Sequence, residues 1–131
     1  MPVLDASVVV EYLTGGERAE AIRRLLLGGA ESLWAPHLID AEVGHVLRRA
    51  HTAGELTASR SKTALQDLRE MPLRRAGHTG LLDRAWSLRA NLSFYDGLYV
   101  ALAEVLRMPL VTLDRRLRGA TGVRAAIEVV S

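Results

Sequence analysis

The chain has 131 residues and a mass of 14.3 kDa, a length typical of a single domain with one hydrophobic core. Hydrophobic residues make up 49% of it, enough to exclude a disordered chain, and the absence of cysteine excludes disulfides and thiolate metal sites. The formal net charge is only +2, yet 16 of the 17 cationic residues are arginine. Guanidinium groups suit phosphates, so the composition permits a polyanionic partner without requiring one.

The N-terminal segment has neither the basic region nor the long apolar region of a secretory signal. No apolar run approaches the ~18 residues of a membrane-spanning helix. We therefore expect residues 1–131 to form one soluble, cytoplasmic domain with no membrane partner.

The chain begins with a short apolar run that ends at a charge, Val3-Leu4-Asp5-Ala6-Ser7, and reads as a strand. Ser7 is the predicted N-cap of a first helix, which Gly15-Gly16 ends. A second helix is predicted from Glu17 to Leu27, with Gly28-Gly29 as its stop.

The middle of the chain alternates strand and helix patterns. Leu33-Trp34-Ala35 predicts a second strand, and His37 to about Ala53 predicts a long amphipathic helix. Thr57 is the predicted cap of the next helix, which ends before Pro72 because proline cannot continue it. Leu73 to Gly77 predicts a third strand.

The last third predicts a helix from Thr79 to Arg89 and another from Phe94 to Arg107. The second of these is apolar on nearly every side, so we expect it to be buried. Leu110 to Leu113 predicts a strand followed by a short helical turn, and Ala126 to Val130 predicts an edge strand. This alternation is typical of an α/β fold, a three-layer α/β/α sandwich with a central, mainly parallel sheet.

Several acidic residues stand at the ends of predicted strands or near the starts of predicted helices. Asp5 and Asp114 follow apolar strands, and Asp96 opens the buried helix. Each has a purely structural explanation, because Asp5 and Asp114 could be N-caps and Asp96 fits a capping box with Ser93 three residues earlier.

Asp40 and Glu42 lie near the start of the long amphipathic helix. At about 100° per residue they fall on opposite borders of its apolar stripe, so periodicity alone cannot choose between them.

Taken together, the acids predict one site, because ligands of parallel α/β sheets bind beyond the carboxyl ends of the strands. Two carboxylates ~4 Å apart repel by about 4 kcal/mol at an effective dielectric of 20. A converging set therefore needs a cation or raised pKa values, and oxygen ligands without His or Cys favour Mg²⁺ or Mn²⁺.

Other sequence motifs for chemistry are missing. The four histidines show no pair at metal-ligand spacing; they are His37, His45, His51 and His78. Neither a P-loop nor a Gly-x-Ser-x-Gly elbow occurs in the sequence.

Four segments carry a family resemblance. They are Val3-Leu4-Asp5-Ala6-Ser7; Pro36 with Leu38, Glu42 and Leu47-Arg48-Arg49; Tyr95-Asp96 with Leu98-Tyr99-Val100-Ala101-Leu102-Ala103; and Leu110-Val111-Thr112-Leu113-Asp114-Arg115-Arg116-Leu117. Together they span nearly the whole chain and resemble the PIN domain, and within it the VapC-type toxin ribonucleases of bacterial VapBC toxin–antitoxin pairs. Gly44-His45, Gly97 and Arg115-Arg116 depart from the usual family pattern.

The resemblance implies an endoribonuclease that uses Mg²⁺ or Mn²⁺, with Asp5, Glu42, Asp96 and Asp114 as its acidic set. It thereby selects Glu42 over Asp40. Asp5 and Asp96 are expected to be the direct metal ligands, while Glu42 and Asp114 orient the attacking water or hold a second ion.

By the same resemblance Ser7 and Thr112 are expected to hydrogen-bond the acids or the waters of the metal. A cognate VapB-type antitoxin and a homodimer are also implied. Arg115, Arg116 and Arg118 are candidates for contact with the RNA backbone because they follow Asp114 directly, although a solvated surface explains them equally well.

Two other classes of function remain open. A catalytically inactive PIN-like module for RNA binding or assembly would keep the fold and lose an acid, whereas all four acids are present. A Mg²⁺-dependent phosphatase needs Asp-x-Asp after the first strand, where this chain has Asp5-Ala6-Ser7. A receiver domain needs a strand-end lysine, and the single lysine, Lys62, falls in a predicted helix.

Overall fold

The computed structural model describes residues 1–28 and 32–131, whose strands form one five-stranded sheet. The strands are β1 (Val3–Leu4), β2 (Leu33–Pro36), β3 (Leu73–Ala76), β4 (Leu110–Thr112) and β5 (Ile127–Val129). Their order is β3-β2-β1-β4-β5, and every neighbouring pair is parallel. The predicted α/β class with a parallel central sheet is confirmed.

In the part of the chain that the structure describes, six α-helices connect or flank the strands. They are α1 (Ala6–Thr14), α2 (Ala19–Leu27), α3 (Leu38–Thr52), α4 (Ala58–Glu70), α5 (Leu82–Ser87) and α6 (Phe94–Leu106). Short 3-10 helices cover Thr79–Leu81 and Arg115–Gly119. None of the described helices is long and apolar enough to cross a membrane.

The strand order decides which face each helix covers. The chain steps from β1 to β2 to β3 in one direction and then returns to β4 on the other side of β1. Because parallel crossovers are right-handed, α1 to α4 cover one face and α5 and α6 the other, which gives the three predicted layers. The reversal places a crevice between the carboxyl ends of β1 and β4.

The centre of the sheet is apolar and buried. Val3 and Leu4 pair with Leu110 and Val111, and all four side chains are fully buried. The amide of Asp5 then donates to the carbonyl of Val111 at 3.2 Å, so pairing continues one residue beyond β1. The register of the two central strands therefore fixes where the Asp5 carboxylate emerges.

Helix α6 is the buried helix that the sequence predicts. Its residues from Gly97 to Ala103 are all buried, whereas Tyr95 and Val105 are exposed at its two ends. Packing against α5 is close at Gly97, where an added Cβ would lie 3.0 Å from the carbonyl oxygen of Ala85. Glycine at this position therefore allows the backbones of α5 and α6 to approach each other.

Several predicted boundaries were wrong. The N-cap of α1 is Asp5 rather than Ser7, because the Asp5 carboxylate accepts from the amide of Val8. Helix α2 begins at Ala19 instead of Glu17; its end at Leu27 with Gly28 as C-cap confirms the first half of the predicted Gly28-Gly29 stop, and Gly29 lies outside the described residues. The segment from Thr79 begins as a 3-10 turn, and α5 ends at Ser87 rather than Arg89.

Two helical glycines give opposite predictions for substitution by alanine. A Cβ at Gly44 in α3 meets nothing within 4 Å, so Gly44→Ala should stabilise the fold by about 0.5–1 kcal/mol through helix propensity. At Gly97 the same gain is opposed by overpacking against Ala85, which typically costs about 1–3 kcal/mol. Urea unfolding of both variants measures the difference, and an equal gain at the two positions would contradict the close α5–α6 contact.

Candidate active site

The four acids predicted from the sequence all line one cleft of about 440 Å³. Asp5 follows β1, Glu42 comes from α3, Asp96 from α6, and Asp114 follows β4 by two residues. The cleft lies at the carboxyl edge of the sheet, where the strand order reverses. Four elements distant in sequence therefore contribute one carboxylate each.

Asp5 is only 9% exposed, and its carboxylate accepts three hydrogen bonds. Its Oδ1 accepts from the hydroxyl of Ser7 at 2.6 Å and from the amide of Val8 at 3.2 Å, and its Oδ2 accepts from the hydroxyl of Thr112. Burial raises the pKa of Asp5, and these three donors oppose that rise. The same carboxylate thus caps α1 and faces the cleft.

The hydroxyls of Ser7 and Thr112 also join the two central strand ends. Ser7 Oγ accepts from the amide of Leu113 at 3.1 Å, and Thr112 Oγ1 accepts from the amide of Asp114 at 3.0 Å. Each hydroxyl therefore touches Asp5 on one side and the backbone after β4 on the other. This network sets the separation between Asp5 and Asp114.

The structure shows that Glu42, and not Asp40, lines the cleft, a choice that periodicity left open. Asp40 turns away and forms a two-pronged ion pair with Arg75, with distances of 2.7 and 2.8 Å between nitrogen and oxygen. Glu42 instead lines the cleft, where burial raises its pKa while the nearby hydroxyl of Tyr99 opposes the rise. The charges of Asp96 and Asp5 add to the rise.

Asp96 lies in the first turn of α6. The hydroxyl of Ser93 caps this helix by accepting from the amide of Asp96 at 3.1 Å, as the capping-box spacing predicts. Burial raises the pKa of Asp96, and the charge of Asp114 raises it further. The carboxylate of Asp96 is thus partly desolvated and has another acid for a neighbour.

Asp114 differs from the other three acids because it has a counter-ion. Arg116 donates to its two carboxylate oxygens at 3.0 and 2.9 Å, and the amide of Arg116 adds a third bond at 2.9 Å. These contacts lower the pKa of Asp114. None of the three arginines proposed to contact RNA lines the cleft: Arg116 lines an adjoining pocket with Asp96 and Asp114, and Arg115 and Arg118 are exposed on the 3-10 helix.

The charge distribution leaves three carboxylates without an ion pair. Within residues 1–28 and 32–131 the ion pairs include Asp114 but not Asp5, Glu42 or Asp96. All three have raised pKa values for which burial is the first cause and a neighbouring acid a further one. An added cation would relieve this repulsion.

The donor set fits a hard divalent cation held by few protein ligands. No three acidic or histidine side chains of the described residues lie close enough to ligate a single ion. Mg²⁺ commonly binds through one or two carboxylates and keeps several waters, so a pair of acids such as Asp5 and Asp96 satisfies its needs. Neither cysteine nor histidine lines the cleft.

Glu11 and Tyr99 carry titratable groups that line the cleft and were not predicted as site residues. Glu11 of α1 lies four residues after Ser7 and so shares its helix face, but it is paired with Arg18 at 3.4 Å. Tyr99 lies three residues after Asp96 on the same face of α6. The spacing from Ser7 and Asp96 was the available signal for both.

The hydroxyl network predicts a measurable role for Thr112, which is fully buried. Thr112→Val keeps the shape but removes the donor to Asp5 and the acceptor for the amide of Asp114, and leaving buried groups unpaired costs about 1–3 kcal/mol. Urea unfolding should show this loss, while Thr112→Ser and the exposed control Thr63→Val should change stability much less. A Val variant as stable as wild type would contradict the network.

Both a family model and relatives of known sequence match nearly the whole chain. The family model of the PIN domain matches residues 3–122. Ribonuclease VapC1 of Mycobacterium tuberculosis strain H37Rv is 44% identical over 130 residues, covering 98% of this chain and 96% of that protein.

Solved structures agree on the fold. Mycobacterium tuberculosis VapC20, described as a Sarcin-Ricin loop cleaving toxin, superposes with a TM-score of 0.71 at 17% identity over 95% of this chain and 99% of its own. VapBC2 from Rickettsia felis, bound to a DNA fragment from the promoter, gives a TM-score of 0.72 at 13% identity and covers 99% and 98%. The chain therefore belongs to the PIN-domain family and, within it, to the VapC proteins.

Proposed function

We propose that the chain is a metal-dependent endoribonuclease and the toxin of a VapBC toxin–antitoxin pair. The observation that carries the proposal is the set of three desolvated carboxylates that share one cleft without an ion pair: Asp5, Glu42 and Asp96. The ribonuclease name of a relative 44% identical over nearly the whole chain supports the choice of RNA as substrate.

Asp5 and Asp96 are the proposed ligands of Mg²⁺ or Mn²⁺. When bound, such an ion lowers the pKa of a coordinated water and neutralises charge on a phosphate. Asp5 suits this role because its capping and hydroxyl contacts fix its orientation before any ion arrives. Glu42 and Asp114 are then left to orient the attacking water or to hold a second ion.

Arg116 is the proposed contact for the RNA backbone. Its guanidinium now forms a fork on the two oxygens of Asp114, and a phosphate offers the same pair of acceptors. Arg116 is highly exposed, so its side chain can reach a ligand at the mouth of the cleft. Arg115 precedes it and Arg118 follows it on the same 3-10 helix, and both would add to the attraction of RNA.

The proposed protein partner is a VapB-type antitoxin. The support comes from the VapC relatives and from a VapBC complex with the same fold. Homodimerisation stays a prediction that rests on the family resemblance, and a cytoplasmic location stays one that rests on the composition and the N-terminal sequence.

The alternative functions have less support than the nuclease. Lys62, the single lysine, lies exposed on α4 and does not line the cleft, as a receiver domain would require. Where a phosphatase would place its second aspartate, Ser7 donates a hydrogen bond to Asp5. A catalytically inactive module keeps the fold, so activity itself must decide.

RNA cleavage should require a divalent cation. The purified protein should cleave RNA with Mg²⁺ or Mn²⁺, lose this activity in excess EDTA, and lose it in Asp96→Asn because the amide cannot supply the charge that holds the ion. Gel analysis of a labelled RNA gives the readout. The matched control is Asp83→Asn, an exposed aspartate on α5, which should stay active. Cleavage that survives EDTA or Asp96→Asn would refute the metal-nuclease proposal.

Metal binding should also stabilise the fold. An ion at about one hundred times its dissociation constant adds about 2.7 kcal/mol to the free energy of unfolding. Melting curves with and without Mg²⁺ at fixed ionic strength should show this shift in wild type and a much smaller one in Asp5→Ala. In Asp5→Ala the loss of the cap lowers the stability while the relief of repulsion among the acids opposes that loss, so the comparison is between the two metal-induced shifts. Equal shifts would remove Asp5 from the ligand set.

A further inference from the structure

Tyr99 carries a buried hydroxyl without a hydrogen-bond partner. The residue is 2% exposed, and its hydroxyl is the one buried side-chain nitrogen or oxygen among residues 1–28 and 32–131 that makes no hydrogen bond. A buried polar group left unpaired costs about 1–3 kcal/mol, a cost that phenylalanine would avoid. An unpaired donor in a native structure therefore calls for an explanation.

The hydroxyl lies on the acidic side of α6. Tyr99 follows Asp96 by three residues, so both side chains project from the same face of the helix, and both line the cleft. The rest of the Tyr99 ring belongs to the hydrophobic core. The ring is thus anchored in the core while its one polar atom points towards the acids.

Glu42 lines the same cleft as Tyr99, and it is the acid whose charge bears most on the Tyr99 hydroxyl. Burial is the main reason why the pKa of Tyr99 is raised, and Glu42 is the next cause, ahead of Asp5 and Asp96. The hydroxyl in turn opposes the rise in the pKa of Glu42. The two groups are neighbours, but they do not reach hydrogen-bond geometry in this structure.

The burial of the two side chains differs. Tyr99 is fixed by its buried ring, whereas Glu42 is only half-buried and has three side-chain torsions. If the two groups join, Glu42 is the side chain that moves, because the Tyr99 ring is packed in the hydrophobic core. The carboxylate oxygen that does not meet the hydroxyl would then have a defined direction into the cleft.

We propose that Tyr99 is a positioning residue whose hydroxyl donates to Glu42 once a divalent cation and RNA occupy the cleft. The proposal rests on the nuclease function and extends it. One oxygen of Glu42 is then fixed by Tyr99, and the other is free to orient the attacking water. The partners that orient catalytic or metal-binding groups in this way typically contribute 10–100-fold, as an order of magnitude, to metal affinity or activity.

The variant Tyr99→Phe removes the hydroxyl and leaves the ring. In the metal-free protein its melting temperature should equal or exceed that of wild type, because an unpaired buried hydroxyl is lost. Its kcat for RNA cleavage should fall roughly 10–100-fold with little change in KM, because Glu42 is misplaced while RNA contacts remain. The matched control is Tyr95→Phe, which removes an exposed hydroxyl from the same helix and should leave kcat unchanged.

A double-mutant cycle tests whether Tyr99 acts through Glu42. In a Glu42→Gln background, Tyr99→Phe should lower the residual rate little further, because the carboxylate it positions is already gone. A purely structural role predicts that the two losses multiply. Either that result or a Tyr99→Phe enzyme with wild-type kcat would overturn the positioning role while leaving the nuclease function intact.

A measurement on the intact tyrosine does not depend on the folding of the Phe variant. Addition of Mg²⁺ and a non-cleavable RNA analogue should produce a tyrosine ultraviolet difference spectrum as the hydroxyl gains its acceptor. Tyr95→Phe should retain this signal and Glu42→Gln should lose it. A signal that persists in Glu42→Gln assigns another acceptor and overturns the proposal. A wild-type protein without metal-dependent cleavage removes both the nuclease function and the role of Tyr99.

Discussion

The architecture of the site depends on one carboxylate at the end of the central strand. Asp5 accepts from the amide that opens α1 and from hydroxyls on both sides of the crevice, so one side chain joins β1, α1 and the end of β4. Such a buried charge is tolerable only because donors surround it. The hydrogen bonds that let the fold keep Asp5 also give it a fixed direction, so stability and site geometry rest on the same contacts.

The remaining acids add to the negative charge that Asp5 brings to the cleft. Glu42 and Asp96 arrive from opposite faces of the sheet, on α3 and α6, and each is partly desolvated. Helix packing, rather than attraction between the side chains, holds them together against their repulsion. Asp114 is the exception, since Arg116 neutralises it from within the chain. The charge of the cleft is therefore uncompensated at Asp5, Glu42 and Asp96 and balanced at Asp114.

Much of this could be predicted from the sequence, for reasons that differ between residues. Apolar runs that end at Asp5 and Asp114 predicted the strand ends. A central strand is apolar where it crosses the core, and the first charged residue marks the place where it leaves the core. Asp40 and Glu42 could not be separated by periodicity, since the deciding contact is Arg75, 35 residues away. Ser7 was mistaken for the cap because Asp5 and Ser7 both carry side-chain oxygens that can accept from the first amides of a helix. Tyr99 was missed because a ring in an apolar helix predicts packing, and only the three-dimensional structure shows where its hydroxyl points.

The contact of Gly97 with Ala85 has a consequence for how the protein could change over time. It places the backbone of one helix directly against that of another, next to Asp96 in the first turn of α6. A joint made of main chain does not adapt when a neighbouring side chain is replaced, so surface substitutions on α5 would leave Asp96 in place. An insertion or deletion in α5 would instead move the helix start as a unit. In this chain, length changes at that joint should be far less tolerated than changes of residue type.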